Sequence, residues 1–120
     1  MKKITIILAL LFLLIPFSGN ADNIWMKYLT VTGSGLITTG SGYYCGIKVN
    51  TDGTNNATVV VYDNTAASGT IIDPSTVYTT SSTQRTASMQ FNTPLLFNNG
   101  LYVSITCSGT ASVTVYYVEK

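Results

Sequence analysis

The chain contains no histidine. That absence removes the commonest general base, the Ser-His-Asp triad and most zinc sites. Charge is scarce as well: Lys, Arg, Asp and Glu together make up 9% of the residues. No basic cluster exists that would hold a phosphate backbone by counterion release, so nucleic acid is not an expected partner. Helical patterning is missing too. Beyond Ala21 no apolar series at i, i+3, i+4, i+7 runs for a useful length. Carboxylates remain, but Asp52 and Asp63 sit at the two ends of one hairpin, whereas paired-carboxylate hydrolysis needs about 5–9 Å between the groups. No catalytic set emerges. The expectation is a protein that is not an enzyme and carries no cofactor.

Long apolar runs are limited to the start. Met1-Lys2-Lys3 precedes an apolar run from Ile4 to Phe17, broken by Thr5, and small residues Gly19 and Ala21 follow. This is the layout of a secretory signal peptide. The expected cut follows Ala21, giving a signal peptide over 1–21 and one domain over 22–120. The apolar run falls short of the roughly 20 residues a spanning helix needs, and no Cys follows it to carry a lipid. The expected location is secreted or cell surface, with no membrane association after cleavage. Asp22–Lys120 then has four basic and five acidic side chains, a net charge of −1. So little charge gives little repulsion between copies, which favours a protein that sits in an assembly.

What the chain has in quantity is Thr, Ser, Val, Tyr and Ile, punctuated by Gly, Asn and Asp. Period-two alternation places strands over 25–32, 36–39, 43–50, 57–63, 70–73, 77–80, 85–92, 100–108 and 112–119, the shortest pieces being marginal. Seven or eight short strands with turn signals between them predict an all-β fold, a single antiparallel β-sandwich with jelly-roll or immunoglobulin-like connections. The tyrosine corner of immunoglobulin domains is not seen, because Ile105 stands two residues before Cys107.

The same alternation assigns faces. Tyr43, Cys45, Ile47 and Val49 share one face, and Leu101, Val103, Ile105 and Cys107 share another. Both cysteines therefore point coreward, and in an exported protein the pair is expected as a disulfide, closing a loop of about 60 residues worth roughly 4 kcal/mol. Tyr44, Tyr62, Tyr102 and Tyr116 fall on the opposite, outward faces. Outward tyrosines stack on sugar rings, sit in protein interfaces, or are simply packed over by neighbours. The loop Thr51–Asn56 offers one carboxylate, too few for the six to eight oxygens of a calcium site; Asp-Gly and Asn read it as a turn, and no metal ligand set is expected. Asn56-Ala57-Thr58 matches the N-glycosylation pattern, which a three-residue match does little to support. The likeness of 57–62 to 111–116 needs no more than shared strand composition.

Two runs give the chain a family likeness: "VNTDGTNNATVVVYDNTAASGT" over 49–70 and "FNNGLYVSITCSGTASVTVYYVE" over 97–119. They resemble small β-sandwich accessory proteins, of decoration or fibre type, from tailed phages and prophage-like regions, here in an exported form. The likeness spans 42–117 and is one of sequence style rather than of a chemical motif. It implies a virion accessory role or a cell-surface relative on the same fold. Two functional expectations follow. One is a structural subunit that partners copies of itself or another surface or virion protein, with Trp25, Tyr28, Leu29 and Val31 on an edge or donated strand. The other is a glycan-binding adhesion module that uses the outward tyrosines.

Overall fold

The computed structural model describes residues 25–78 and 85–120. The expected signal peptide lies outside the described residues, as do Thr79 and Thr80 of the expected 77–80 strand. Eight strands form: β1 (Lys27–Val31), β2 (Gly35–Thr39), β3 (Gly42–Thr51), β4 (Ala57–Asp63), β5 (Thr70–Tyr78), β6 (Thr86–Phe97), β7 (Gly100–Cys107) and β8 (Ala111–Glu119). They make two four-stranded antiparallel sheets, in the orders β1-β8-β3-β6 and β2-β7-β4-β5. We call these sheet A and sheet B.

Every connection except β4–β5 crosses from one sheet to the other. The pairs β1/β8, β2/β7, β3/β6 and β4/β5 nest like one long hairpin wrapped on itself. This is the connectivity of a jelly roll, and it decides between the two sandwich topologies expected from the sequence.

Burial follows alternation where strands are regular. Ala57, Val59 and Val61 of β4, Leu101 and Val103 of β7, and Val113, Val115 and Tyr117 of β8 point between the sheets and are buried. Two expected breaks are absent. The piece over 70–73 and the described residues 77–78 of the second piece belong to one β5, and the 85–92 piece continues through β6 to Phe97. Pro74 stands inside β5 and Pro94 inside β6. Both β5 and β6 are edge strands, where a proline removes no ladder bond from a second neighbour. The extension matters, because Phe97 is among the largest fully buried side chains.

The main departure is in β3. The register of β3 against both β6 and β8 shifts between Tyr44 and Gly46. Against β8, β3 carries one extra residue there, between Tyr44↔Tyr117 and Gly46↔Tyr116, which is a β-bulge; against β6 the surplus lies on β6, where residues 91–94 stand between the partners of Tyr44 and Gly46. Tyr44 is therefore buried beside Ile47 and Val49, while Tyr43 and Cys45 are only partly covered. Tyr44 was expected outward and Cys45 inward; the bulge reverses both.

The expected disulfide does not form: Cys45 and Cys107 are free. The fold explains why. Cys107 packs against the core from sheet B. Thr51 pairs with Ala111 just beyond it, so Cys107 lies near the C-terminal end of β3. Cys45 is in sheet A, six residues back along β3, about 20 Å away at ~3.3 Å per residue. Bridging needs Cα atoms within about 7 Å. The thiol-specific reagent DTNB should therefore titrate two thiols in protein purified without reductant and then unfolded. Adding dithiothreitol should leave the melting temperature unchanged; a drop on reduction would show that the cysteines are paired.

Candidate functional site

The loop Thr51–Asn56 is a turn organised by Asp52. Its Oδ1 accepts the backbone N–H groups of Thr54 at 2.8 Å and Asn55 at 2.9 Å. Its Oδ2 accepts from the Asn55 side-chain amide at 2.9 Å and from the Thr110 N–H at 3.2 Å. These donors, the Asn55 amide foremost, hold the carboxyl well below its ordinary range. The carboxylate thus ties β3–β4 to β7–β8 across the end of the sandwich. Gly109 leaves room for this pair: a Cβ at that position would meet Asp52 Oδ2 and the Asn55 amide and push them aside. A shallow cleft of about 360 Å³ lies alongside, lined by Thr32, Asn50, Thr51, Thr110 and Ser112. Asp63, at the far end of β4, does the same work for the β6–β7 turn by accepting from Asn98 N at 2.9 Å and Asn99 N at 2.7 Å. The length of β4 separates Asp52 from Asp63, about 20 Å at roughly 3.3 Å per residue. Among the described residues, no three Cys, Asp or Glu side chains come together as a metal-binding group.

The four expected outward tyrosines do not share a face. Tyr44 is in the core, where its hydroxyl donates to Asp73 Oδ2 at 3.1 Å and its ring meets Phe91 at 5.4 Å. Tyr62 and Tyr102 are cross-strand partners on the outer side of sheet B. Leu36 pairs with Tyr102, and Ile71 pairs with Tyr62. A row Leu36–Tyr102–Tyr62–Ile71 thus crosses all four strands of sheet B, with its aliphatic ends exposed. Tyr116 lies on the opposite side of the molecule, outside sheet A, with its ring 6.4 Å from that of Tyr28. Tyr43, which simple alternation puts in the core, joins this second face; Lys120 sits 5.8 Å from its ring centre. Gly46 inside an otherwise regular strand pattern was the signal for this switch, since an isolated strand glycine marks a bulge.

The segment around β1 is the most exposed apolar part of the described chain. Trp25 is 75% exposed, Met26 59%, Tyr28 71% and Leu29 38%. Strand β1 is the outer strand of sheet A, and it pairs with β8 of its own chain from Lys27↔Tyr117 to Val31↔Val113. It is thus an edge strand of its own fold. Three side-chain contacts secure it. Lys27 forms an ion pair with Glu119, the Thr30 and Thr114 hydroxyls bond at 2.8 Å, and Tyr28 meets Tyr116. Glu119 also accepts from the Thr38 hydroxyl at 2.6 Å, linking the end of β8 to β2 in the other sheet. The β1–β2 turn is held in turn by Ser34, whose hydroxyl accepts from the Ile105 N–H at 2.8 Å. Comparison of the chain with family models, curated proteins and solved structures finds no match.

Proposed function

We propose that this chain is a non-enzymatic, exported structural protein, a subunit of an extracellular or virion-like surface assembly. The observation that carries this reading is the apolar edge formed by Trp25, Met26, Tyr28 and Leu29 on a protein with almost no charge to keep copies apart. A monomer that stays alone normally blunts such an edge or keeps exposed apolar patches small. The jelly roll agrees with the reading only at the level of fold, since it serves viral capsids and lectins alike. Light scattering on purified Asp22–Lys120 tests the proposal. The mass should exceed that of one chain and rise with concentration. A strict monomer at the highest soluble concentration overturns it.

A second reading rests on the row Leu36–Tyr102–Tyr62–Ile71. Two tyrosines side by side on an outer sheet face, flanked by Thr58, Ser104 and Thr106, offer rings and hydroxyls to a neutral glycan. Binding on a glycan array that is lost in both Tyr62→Ala and Tyr102→Ala supports this adhesion role; a blank array counts against it.

A further inference from the structure

We infer that two copies of this chain join through β1, strand to strand and antiparallel, about a two-fold axis at Leu29. Sheet A of one copy then continues into sheet A of the other as one eight-stranded sheet. This rests on the assembly reading above and specifies its contact.

The inference comes from comparing the four described sheet edges. Strand β2 carries a register irregularity between Leu36 and Thr38. Strand β5 contains Pro74 and two register shifts against β4. Strand β6 contains Pro94, and its register against β3 breaks beside Gly46. Prolines and bulges are two of the devices by which sheets prevent edge-to-edge pairing. Strand β1 has none of them. Its five residues, Lys-Tyr-Leu-Thr-Val, run in unbroken register with β8. Its one charge, Lys27, is already matched by Glu119 of the same chain. Among the described residues no strand pairs with the outer side of β1, so the outward backbone donors and acceptors of its five residues are open to a partner.

A second copy is the occupant that this edge fits. Self-pairing centred on Leu29 sets Tyr28 against Thr30 of the second copy and Lys27 against Val31 of the second copy. No like charges meet. A two-fold axis normal to the sheet keeps the faces in register, so both Leu29 side chains meet on the inner side. Both Tyr28–Tyr116 pairs align on the outer side. Trp25 and Met26, at the N-terminal flank of each β1, then lie alongside the C-terminal end of the other copy's β1. Pairing of β1 with β6 of a second copy would be head-to-tail and open-ended, and Pro94 with the neighbouring bulge interrupts that route.

Charge complementation at the axis is the test. Leu29 is an exposed edge position, so Leu29→Glu and Leu29→Lys should both fold, as far-UV circular dichroism will show. Each variant alone brings two like charges together and should weaken association by about 100-fold or more. A one-to-one mixture should recover the wild-type association as a heterodimer. As a measure free of introduced charge, Leu29→Cys in a Cys45→Ser, Cys107→Ser background should oxidise to a covalent dimer. Directly opposed strand residues have Cβ atoms about 4.5–5.5 Å apart. Association of both charged variants at wild-type strength overturns the β1 contact while leaving the assembly reading in place. Folded single variants whose mixture stays monomeric overturn the Leu29-centred register, as does failure of Leu29→Cys to cross-link. A monomeric wild type removes both readings together.

Discussion

Replacing Tyr44 with alanine should cost about 4 kcal/mol and lower the melting temperature by roughly 20 °C. Tyr44 is fully buried, and it fills the space between β3, β5 and β6. Truncation leaves a cavity against Phe91 and strips Asp73 of its hydroxyl partner. Among the described residues Asp73 is the buried charged group, 8% exposed. Burial pushes its carboxyl above the ordinary value, and the Tyr44 hydroxyl draws it partway back. The sign of the pH effect follows. A carboxyl whose folded value is raised favours folding most when protonated. That contribution is complete below about pH 4, the unfolded value, and is lost as pH climbs through the raised folded value. Above the raised folded value the ionised Asp73 therefore weakens the fold, and the Tyr44 hydroxyl moderates the loss. Tyr44→Phe keeps the ring and removes the hydroxyl. It should cost about 2 kcal/mol at pH 7, and the deficit should shrink towards pH 4 as Asp73 takes up its proton. Asp73→Asn should be as stable as wild type or more so at pH 7, because it keeps an acceptor for Tyr44 without the buried charge. Melting temperature against pH for the three variants checks all of this. A Tyr44→Phe deficit that is flat with pH would show that the hydroxyl does not serve the ionised carboxylate.

Much of this fold was legible from local pattern. In β4, β7 and β8 the side chains alternate without interruption, and the residues read as core are core: Val59, Val61, Leu101, Val103, Val113 and Val115. Alternation is a local property, and it survives wherever strand geometry is regular. Strand order was not legible. The pairing of Lys27 with Tyr117 or Gly35 with Val103 joins residues far apart in sequence, and two sandwich topologies satisfy the same strand list. The continuity of β5 and β6 was not legible for a related reason. Whether Pro74 or Pro94 ends a strand depends on whether that strand has a second neighbour, which only the sheet order decides. The exposed edge was half legible. Trp25, Tyr28 and Leu29 marked it in the sequence, but its pairing with β8 of the same chain required the fold. The tyrosine surfaces were the least legible, because one inserted residue in β3 moved Tyr44 inward and Tyr43 outward and because Tyr62 and Tyr116 belong to different sheets.

That inserted residue depends on Gly46, and Gly46→Ala should cost about 3 kcal/mol, or 10–20 °C in melting temperature. Gly46 has φ of +156°, a conformation that side chains with a Cβ rarely adopt. A Cβ there would lie 2.5 Å from the Met89 carbonyl oxygen and 3.0 Å from the Gln90 Cα. Both atoms are backbone of the neighbouring β6, so no side chain can swing aside to make room. Relief requires either that β3 and β6 part or that the bulge disappears. Removing the bulge slides the alternation by one residue between Tyr44 and Ile47, and a slip of one reverses every side chain beyond it. Tyr44 would then leave the core, or Ile47 and Val49 would. The strain therefore cannot be relieved without losing buried side chains, which is why so small an addition has so large an expected effect. Gly35→Ala is the control. Nothing lies within 4 Å of a Cβ at Gly35, which sits on edge strand β2. Its melting temperature should stay within a few degrees of wild type. Equal melting of the two alanine variants would mean that Gly46 bears no strain and that the inward position of Tyr44 has another cause.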